Sequence, residues 1–276
     1  MNYDLHCHST ASDGLFAPGE LVDAARLGGV DVLALTDHDE LSGLAEARQA
    51  CDAHGLRFVN GVEISVTWED ETIHIVGLGI DPENPQLLAG LQQVRGSRLG
   101  RARAIAARFD SIGISGTLQG ALSLAANPAV ISRAHFARHL VSAGHTRDAD
   151  SAFKLYLGSG KPAYVPHHWS HLEHAVRWIT GSGGVAVVAH PGRYRLSDQA
   201  LRRFFGEFRD AGGRALEVVT GSHQPSQYAT FARFARDFGF HGSRGSDFHG
   251  VGESRIGLGQ LPPLPDSVRP VWDLFD

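Results

Sequence analysis

Short apolar runs alternate along this chain with segments whose apolar positions recur every three or four residues, the period of a helix with one buried face. Residues 3–5 and 31–36 (DVLALT) read as strands. Between them, 18–28 (PGELVDAARLG) predicts a helix, with Pro18 in its first turn and Gly28 and Gly29 ending it. A second helix is expected over 41–54, where Leu44, Ala47 and Cys51 share a face and Gly55 follows. Strands at 58–64 and 73–80 complete a β-α-β-α-β-β order, which favours an α/β fold. From about 86 to 158 the pattern turns helical and rich in Arg and Ala, with no convincing strand. Alternation then returns: a helix at 172–182, a strand at 185–189, a helix at 198–211, a strand at 215–219, a helix at 225–238 and a short strand near 240–243.

Roughly seven strands, mostly parallel by inference, suit a closed or nearly closed (β/α) barrel, with a doubly wound open sheet as the alternative. The helical stretch is expected as an insertion. On that reading residues 1–85 and 170–276 form the barrel, and 86–169 form a mostly helical cap over the substrate.

Composition narrows the function. The chain has 276 residues, 42% of them hydrophobic, enough for a sizeable core, and shows neither low-complexity tracts nor a fixed-period repeat. A net charge of −5 argues against a broad basic surface for long nucleic acid, but leaves room for a short nucleotide in a pocket. The opening MNYDLHCHSTASDG has neither a basic n-region nor an apolar h-region, and the run VAVVA at 185–189 is far too short to cross a bilayer. With only Cys7 and Cys51, the expectation is a cytoplasmic protein without a disulfide framework, without membrane contact and without an obligate protein partner.

The unusual number is 16 histidines, and their placement decides what they mean. His6 and His8 follow the first strand, with Asp13 just beyond in a loop rich in Ser and Gly. Asp37, His38 and Asp39 follow the second, and Glu63 lies near the end of the third. His190 follows 185–189, His223 follows 215–219, and Asp247 and His249 follow the last strand. In a parallel barrel those strand ends converge on one face. His74, at the start of its strand, joins them only if that strand is antiparallel or locally bent.

Residues i and i+2 of a strand point the same way, so His6 with His8, and Asp247 with His249, can each serve one ion. Imidazole with carboxylate and no thiolate suits Zn, Mn or Fe(II) better than Ca or Mg. Nine donors (His6, His8, Asp13, His38, Glu63, His74, His190, Asp247 and His249) exceed what one ion takes. Two or three divalent ions are therefore expected, with a carboxylate such as Glu63 as a bridge.

The set HCH at 6–8, Asp13, TDHD at 36–39, GVEIS at 61–65, AHP at 189–191 and SDFH at 246–249 resembles the PHP (polymerase and histidinol phosphatase) family, in the family's order. The resemblance implies a distorted (β/α)7 barrel holding three metal ions, with Mn expected ahead of Fe or Zn. Carried onto this chain, one ion takes His6, His8, Glu63 and Asp247, a second Glu63, His74 and His190, and a third Asp13, His38 and His249. Asp13 stands where some relatives have His. The segments SRAHFARHLVSAG and GKPAYVP resemble the bacterial branch of 3′,5′-nucleoside bisphosphate phosphatases, a branch also linked to 5′-to-3′ trimming of short RNA. The branch's usual Gly-Arg-Pro-His is Ser132-Arg133-Ala134-His135 here.

The chemistry then expected is attack of a metal-bound hydroxide in line on phosphorus, with positioning and electrostatics carrying the rate. His223 is the candidate acid or substrate contact. Arg133 and His135, with Arg193 and Tyr194 beside His190, are candidates to hold a second phosphate. Arg101, Arg103 and Arg108 are expected on a solvated helix face, and Trp169 or His168 is a candidate to stack on a base. The rivals are a histidinol phosphate phosphatase, which needs an acidic contact for the substrate amine, a nuclease on longer strands, which needs a basic groove, and a non-catalytic scaffold, which would have lost ligands.

Overall fold

The computed structural model describes residues 1–275. Its strands are β1 (Tyr3–Asp4), β2 (Val32–Leu35), β3 (Arg57–Trp68), β4 (Glu71–Leu78), β5 (Ser170–His171), β6 (Val185–Val188), β7 (Ala215–Thr220) and β8 (His241–Gly245). The helices are α1 (Pro18–Leu27), α2 (Leu44–His54), α3 (Pro85–Gly96), α4 (Arg98–Ser111), α5 (Thr117–Ser123), α6 (Arg133–Ser142), α7 (Ala149–Ala152), α8 (Leu172–Gly181), α9 (Asp198–Asp210) and α10 (Pro225–Phe238). The sheet runs β1-β2-β3-β4-β6-β7-β8, with the two-residue β5 pairing off this path to β3.

The ends of the path meet. Leu5 N donates to Arg244 O at 3.0 Å, Asp247 N to His6 O at 2.8 Å, and His8 N to Phe248 O at 2.9 Å. The seam closing the barrel is thus made by the two segments that carry HCH and SDFH. At Gly245 a Cβ would lie 2.3 Å from the His6 Cβ, so only glycine lets this seam close.

The strands are mostly parallel, as expected, and β4 is the exception. β4 is antiparallel to both its neighbours, β3 and β6. Glu69 and Asp70 join β3 to β4 with φ of 44° and 66°, the left-handed pair of a two-residue hairpin turn. The hairpin reverses β4, so its early residues lie beside the ends of the parallel strands. Ser65 of β3 pairs with His74, which brings that imidazole to the same rim.

Strand alternation sorts the core. In β2, Val32 and Ala34 point into the barrel with Leu5, Val76 and Val187, while Leu33 and Leu35 pack outward against the helices. A short turn, Val271–Leu274, covers the end away from the ligand-bearing strand ends, with Trp272 stacked on Tyr3 at 3.9 Å. Leu87 and Leu91 of α3 join the main core, and Gly90 lets the Trp178 ring lie against that helix. A second cluster, including Ile105, Phe109, Phe136 and Leu157, draws on residues 102–163. No helix among the described residues is long and apolar enough to cross a membrane.

Candidate metal centre and substrate cavity

Glu63 lies at the centre of the rim, fully buried, on a strand whose alternation turns it inward. Five imidazoles surround its carboxylate. Glu63 Oε1 is 3.0 Å from His74 Nδ1, 3.0 Å from His190 Nε2 and 3.4 Å from His6 Nε2. Glu63 Oε2 is 2.9 Å from His38 Nδ1 and 3.4 Å from His8 Nε2. The rings form a closed circuit, with centroids 5.1 Å apart for His6–His8, 4.6 Å for His8–His38, 4.9 Å for His38–His74, 5.3 Å for His74–His190 and 5.7 Å for His190–His6. His249 stacks outside this circuit, 4.1 Å from His8. Asp13 Oδ1 faces His38 Nε2 at 3.8 Å and His249 Nε2 at 3.5 Å. Asp247 Oδ1 lies 3.4 Å from His8 Nε2 and 3.6 Å from His6 Nε2.

This is an arrangement for cations. His38 Nδ1 and His74 Nδ1 approach Glu63 closely, yet neither meets hydrogen-bond geometry, and both nitrogens are buried without a partner, as are Glu63 Oε2 and Asp13 Oδ1. The Nε2 atoms of His6 and His8 face each other at 3.1 Å. Burying so many unpaired polar atoms costs free energy unless something between them binds them all. Donor atoms within 4.8 Å of one another form four overlapping groups: His6, His8 and Glu63; His6, His190 and Asp247; His38, Glu63 and His74; and His8, Asp13, His38 and His249.

The electrostatics match. Burial and the positive neighbours His249 and His38 push His8 down to about 3. Burial and then Arg193 push His190 down to about 3. Both imidazoles are therefore neutral, the form that binds metal. At His249 burial acts downward, but the neighbouring Asp13 carboxylate outweighs it and pushes the ring up to about 9. His190 and Asp247 hold φ of 28° and 55°, strained values for non-glycine residues that recur at functional positions.

Around these donors lies a supporting layer. Glu217, in the middle of β7, accepts from His6 Nδ1 at 2.8 Å and from His190 N at 2.6 Å. Asp37 accepts from Ser9 N at 2.8 Å and from the Ser9 and Ser12 hydroxyls at 2.7 and 2.5 Å, which holds the loop leading to Asp13. Such outer partners fix ring orientation and basicity.

Seven of the nine donors, all but the buried His6 and His8, line a cavity of about 560 Å³ whose lining also carries Arg98, Arg101, Arg133, Arg193 and Arg255 with Phe153 and Trp169. A chain with a net charge of −5 thus gathers five guanidinium groups at one opening. Arg98, almost fully buried, is tied to Asp39 and lies 4.8 Å from the Trp169 ring, and Arg101 lies 5.1 Å from the same ring. Arg133 donates to Leu157 O at 3.3 Å and sits 5.6 Å from the Phe153 ring. Arg193 is half exposed, 3.1 Å from Asp247 Oδ2.

Residues 4–221 match the model of the PHP domain family. The chain belongs to the PHP domain family. A 3′,5′-nucleoside bisphosphate phosphatase of Chromobacterium violaceum is 48% identical over 98% of this chain and 95% of its own length. The 5′-3′ exoribonuclease Rnm of Escherichia coli is 43% identical over 99% of this chain and 94% of its own. Among solved structures, a Chromobacterium violaceum protein described as an amidohydrolase with bound sulfate superposes with a TM-score of 0.96 at 48% identity, covering 99% of this chain and 96% of that one.

Within this PHP barrel the nine sequence-derived donors meet at one rim, while several expected substrate contacts do not reach the cavity. His223 is buried: its Nε2 accepts from Gly192 N at 2.9 Å, and its Nδ1 faces Val218 O at 3.2 Å. With both nitrogens held by backbone and its ring stacked on Phe231, it supports the turn after His190 and has no proton to offer a leaving group. Burial pushes it down to about 4, which also keeps it neutral. His135, in the first turn of α6, is buried, accepts from Ser132 N at 3.0 Å, and is pushed by burial down to about 4, so it is neutral and does not line the cavity. The Tyr194 hydroxyl accepts from His74 N at 3.0 Å and donates to Ala189 O at 2.9 Å, bridging the segments of two imidazole donors. Arg101 shares the inward side of α4 with Arg98 and lines the cavity, whereas Arg103 and Arg108 are exposed as expected. Trp169 lines the cavity and His168 does not.

Sequence reasoning missed Arg98, Phe153 and Glu217. For Glu217 a signal existed: a lone carboxylate inside the apolar strand ALEVVT.

Proposed function

We propose that this protein is a metal-dependent phosphatase that removes the 3′-phosphate of 3′,5′-nucleoside bisphosphates to leave the nucleoside 5′-monophosphate. The observation that carries the reading is one cavity lined by seven of the nine His, Asp and Glu donors, with His6 and His8 buried against them, and by five arginines. His6, His8, Glu63 and Asp247 would hold one ion, Glu63, His74 and His190 a second, and Asp13, His38 and His249 a third, with Mn preferred over Fe or Zn. Ions held there supply Lewis-acid stabilisation of phosphoryl charge and lower the pKa of water.

The protein's own residues supply the rest. Glu217 holds His6 in the tautomer that points Nε2 inward. Arg193, beside Asp247, meets the oxygens of the reacting phosphate. Arg133, with Arg98 and Arg101 across the cavity, takes the second phosphate, since guanidinium matches phosphate oxygens bidentately. Phe153 and Trp169 offer flat faces for a base. The acidic wall residues Asp150 and Glu253 are paired with Lys154 and Arg138, which leaves little to recognise the amine of histidinol phosphate.

A second activity, 5′-to-3′ trimming of short RNA, is supported by the two exoribonucleases at 42% and 43% identity, of Haemophilus influenzae and Escherichia coli. The residue set also suits a cytoplasmic setting, because both cysteines are free and buried.

The test is phosphate release by the Mn-loaded protein from adenosine 3′,5′-bisphosphate, beside histidinol phosphate, adenosine 5′-monophosphate and a 5′-phosphorylated oligoribonucleotide. Preference for the bisphosphate with adenosine 5′-monophosphate left intact is expected. Better turnover of histidinol phosphate, with nucleotides untouched, would overturn the substrate assignment and keep the metal centre.

A further inference from the structure

Among the described residues, Asp13 is the only one of the nine donors that accepts a side-chain hydrogen bond from the helical insertion. It is buried, and its two oxygens have different surroundings. Oδ1 has no hydrogen-bond partner and faces His38 and His249. Oδ2 accepts a hydrogen bond from the Ser132 hydroxyl at 2.8 Å. Ser132 lies 119 positions along the chain, at the N-cap of α6. A carboxylate can rotate about its Cβ–Cγ bond, so the bond at Oδ2 determines where Oδ1 points.

Ser132 is itself closely held. Its hydroxyl also accepts from Ala134 N at 3.1 Å, and its N–H donates to His135 Nδ1 at 3.0 Å. Arg138, one turn further along α6, donates to Asp13 O and makes two 2.7 Å contacts with Glu253. The residue between Ser132 and Ala134 is Arg133, on the cavity wall. One turn of helix therefore touches both the donor Asp13 and the cavity in which an anion would sit.

We propose that Ser132 is a positioning residue that orients Asp13 Oδ1 toward His38 and His249, so that occupancy of the third metal position depends on the hydrogen bond that the N-cap hydroxyl of α6 gives to Asp13. The inference rests on the metal reading above. A hydrogen bond to a charged acceptor contributes enough that its loss weakens ion binding at that position by roughly 10-fold. The other two positions, which take nothing from the insertion, keep their affinity.

The experiment equilibrates the full-length protein with Mn²⁺ at a series of chelator-buffered concentrations and counts bound metal per chain by elemental analysis. Wild type, Ser132→Ala, Ser132→Thr, Phe136→Leu and Asp13→Ala are compared. Phe136→Leu loosens α6 from its buried face without touching Asp13. The expected result is about a tenfold weaker affinity for the last ion bound in Ser132→Ala, recovery in Ser132→Thr and wild-type binding in Phe136→Leu. The activity of Ser132→Ala should fall in kcat at limiting Mn²⁺ and recover when Mn²⁺ is raised. Unchanged binding in Ser132→Ala, or equal weakening in Phe136→Leu, would overturn the proposal. Asp13→Ala separates the two levels: if it too keeps every ion, the metal assignment itself fails; if it loses one while Ser132→Ala loses none, only the role of Ser132 fails.

Discussion

Glu217 accepts the Nδ1 hydrogen of His6 at 2.8 Å in a place closed to solvent, and its other oxygen takes the backbone N–H of His190 at 2.6 Å. One carboxylate outside the candidate metal donors thus orients two of them. Glu217→Gln keeps an acceptor for one of these bonds and removes the charge. Metal affinity should fall roughly 10- to 100-fold, as for other outer partners of metal-binding histidines, with the fold intact by circular dichroism. Wild-type affinity in this variant would show that His6 is oriented by the barrel alone.

Arg133 and seven of the nine candidate metal donors line one cavity. If Arg133 takes the 5′-phosphate, Arg133→Ala should raise KM for adenosine 3′,5′-bisphosphate by about 10- to 100-fold, the range of a lost charged hydrogen bond. Turnover of adenosine 3′-monophosphate, which has no second phosphate, should change little. Steady-state kinetics on the two substrates checks this, and equal losses on both would assign Arg133 to the reacting phosphate or to cap packing.

Asp13 pushes the His249 ring up to about 9, although burial alone would lower it. Before metal binds, this imidazole therefore carries a proton at neutral pH, and binding must displace it. The direction follows: a ligand raised above its ordinary pKa competes with metal at every pH below the raised value. Apparent Mn²⁺ affinity should rise from pH 6 to about 9, with proton release on loading. His8 and His190, already neutral with values near 3, release none in that window. Calorimetric titration in buffers of different ionisation enthalpy measures the protons released. Affinity independent of pH between 6 and 9 would show that His249 is not a ligand.

The corrections share a physical cause. His223 and His135 looked like substrate contacts because histidine after a strand, or beside an arginine, is chemically suited to phosphate. Their burial and their bonds to Gly192 N and Ser132 N give them other work, and no local pattern announces a long-range partner. Arg101 looked solvated, and Arg98 gave no signal, because α4 is rich in arginine all round. Which side of such a helix faces a cavity depends on where the rest of the insertion packs.

The alternation of apolar runs determined the strand and helix order, and with it a barrel whose strand ends gather polar residues. The nine candidate donors could be picked out for the same reason: side-chain type and position after a strand are local properties. What only the tertiary structure decided is which donors meet. The Glu69–Asp70 turn reverses β4 and brings His74 to the rim, Gly245 lets the HCH and SDFH segments close the seam, and Glu217 and Ser132 reach the donors from far along the chain. Those contacts depend on closure and register, which are set by packing summed over the whole sheet and not by any one segment's sequence.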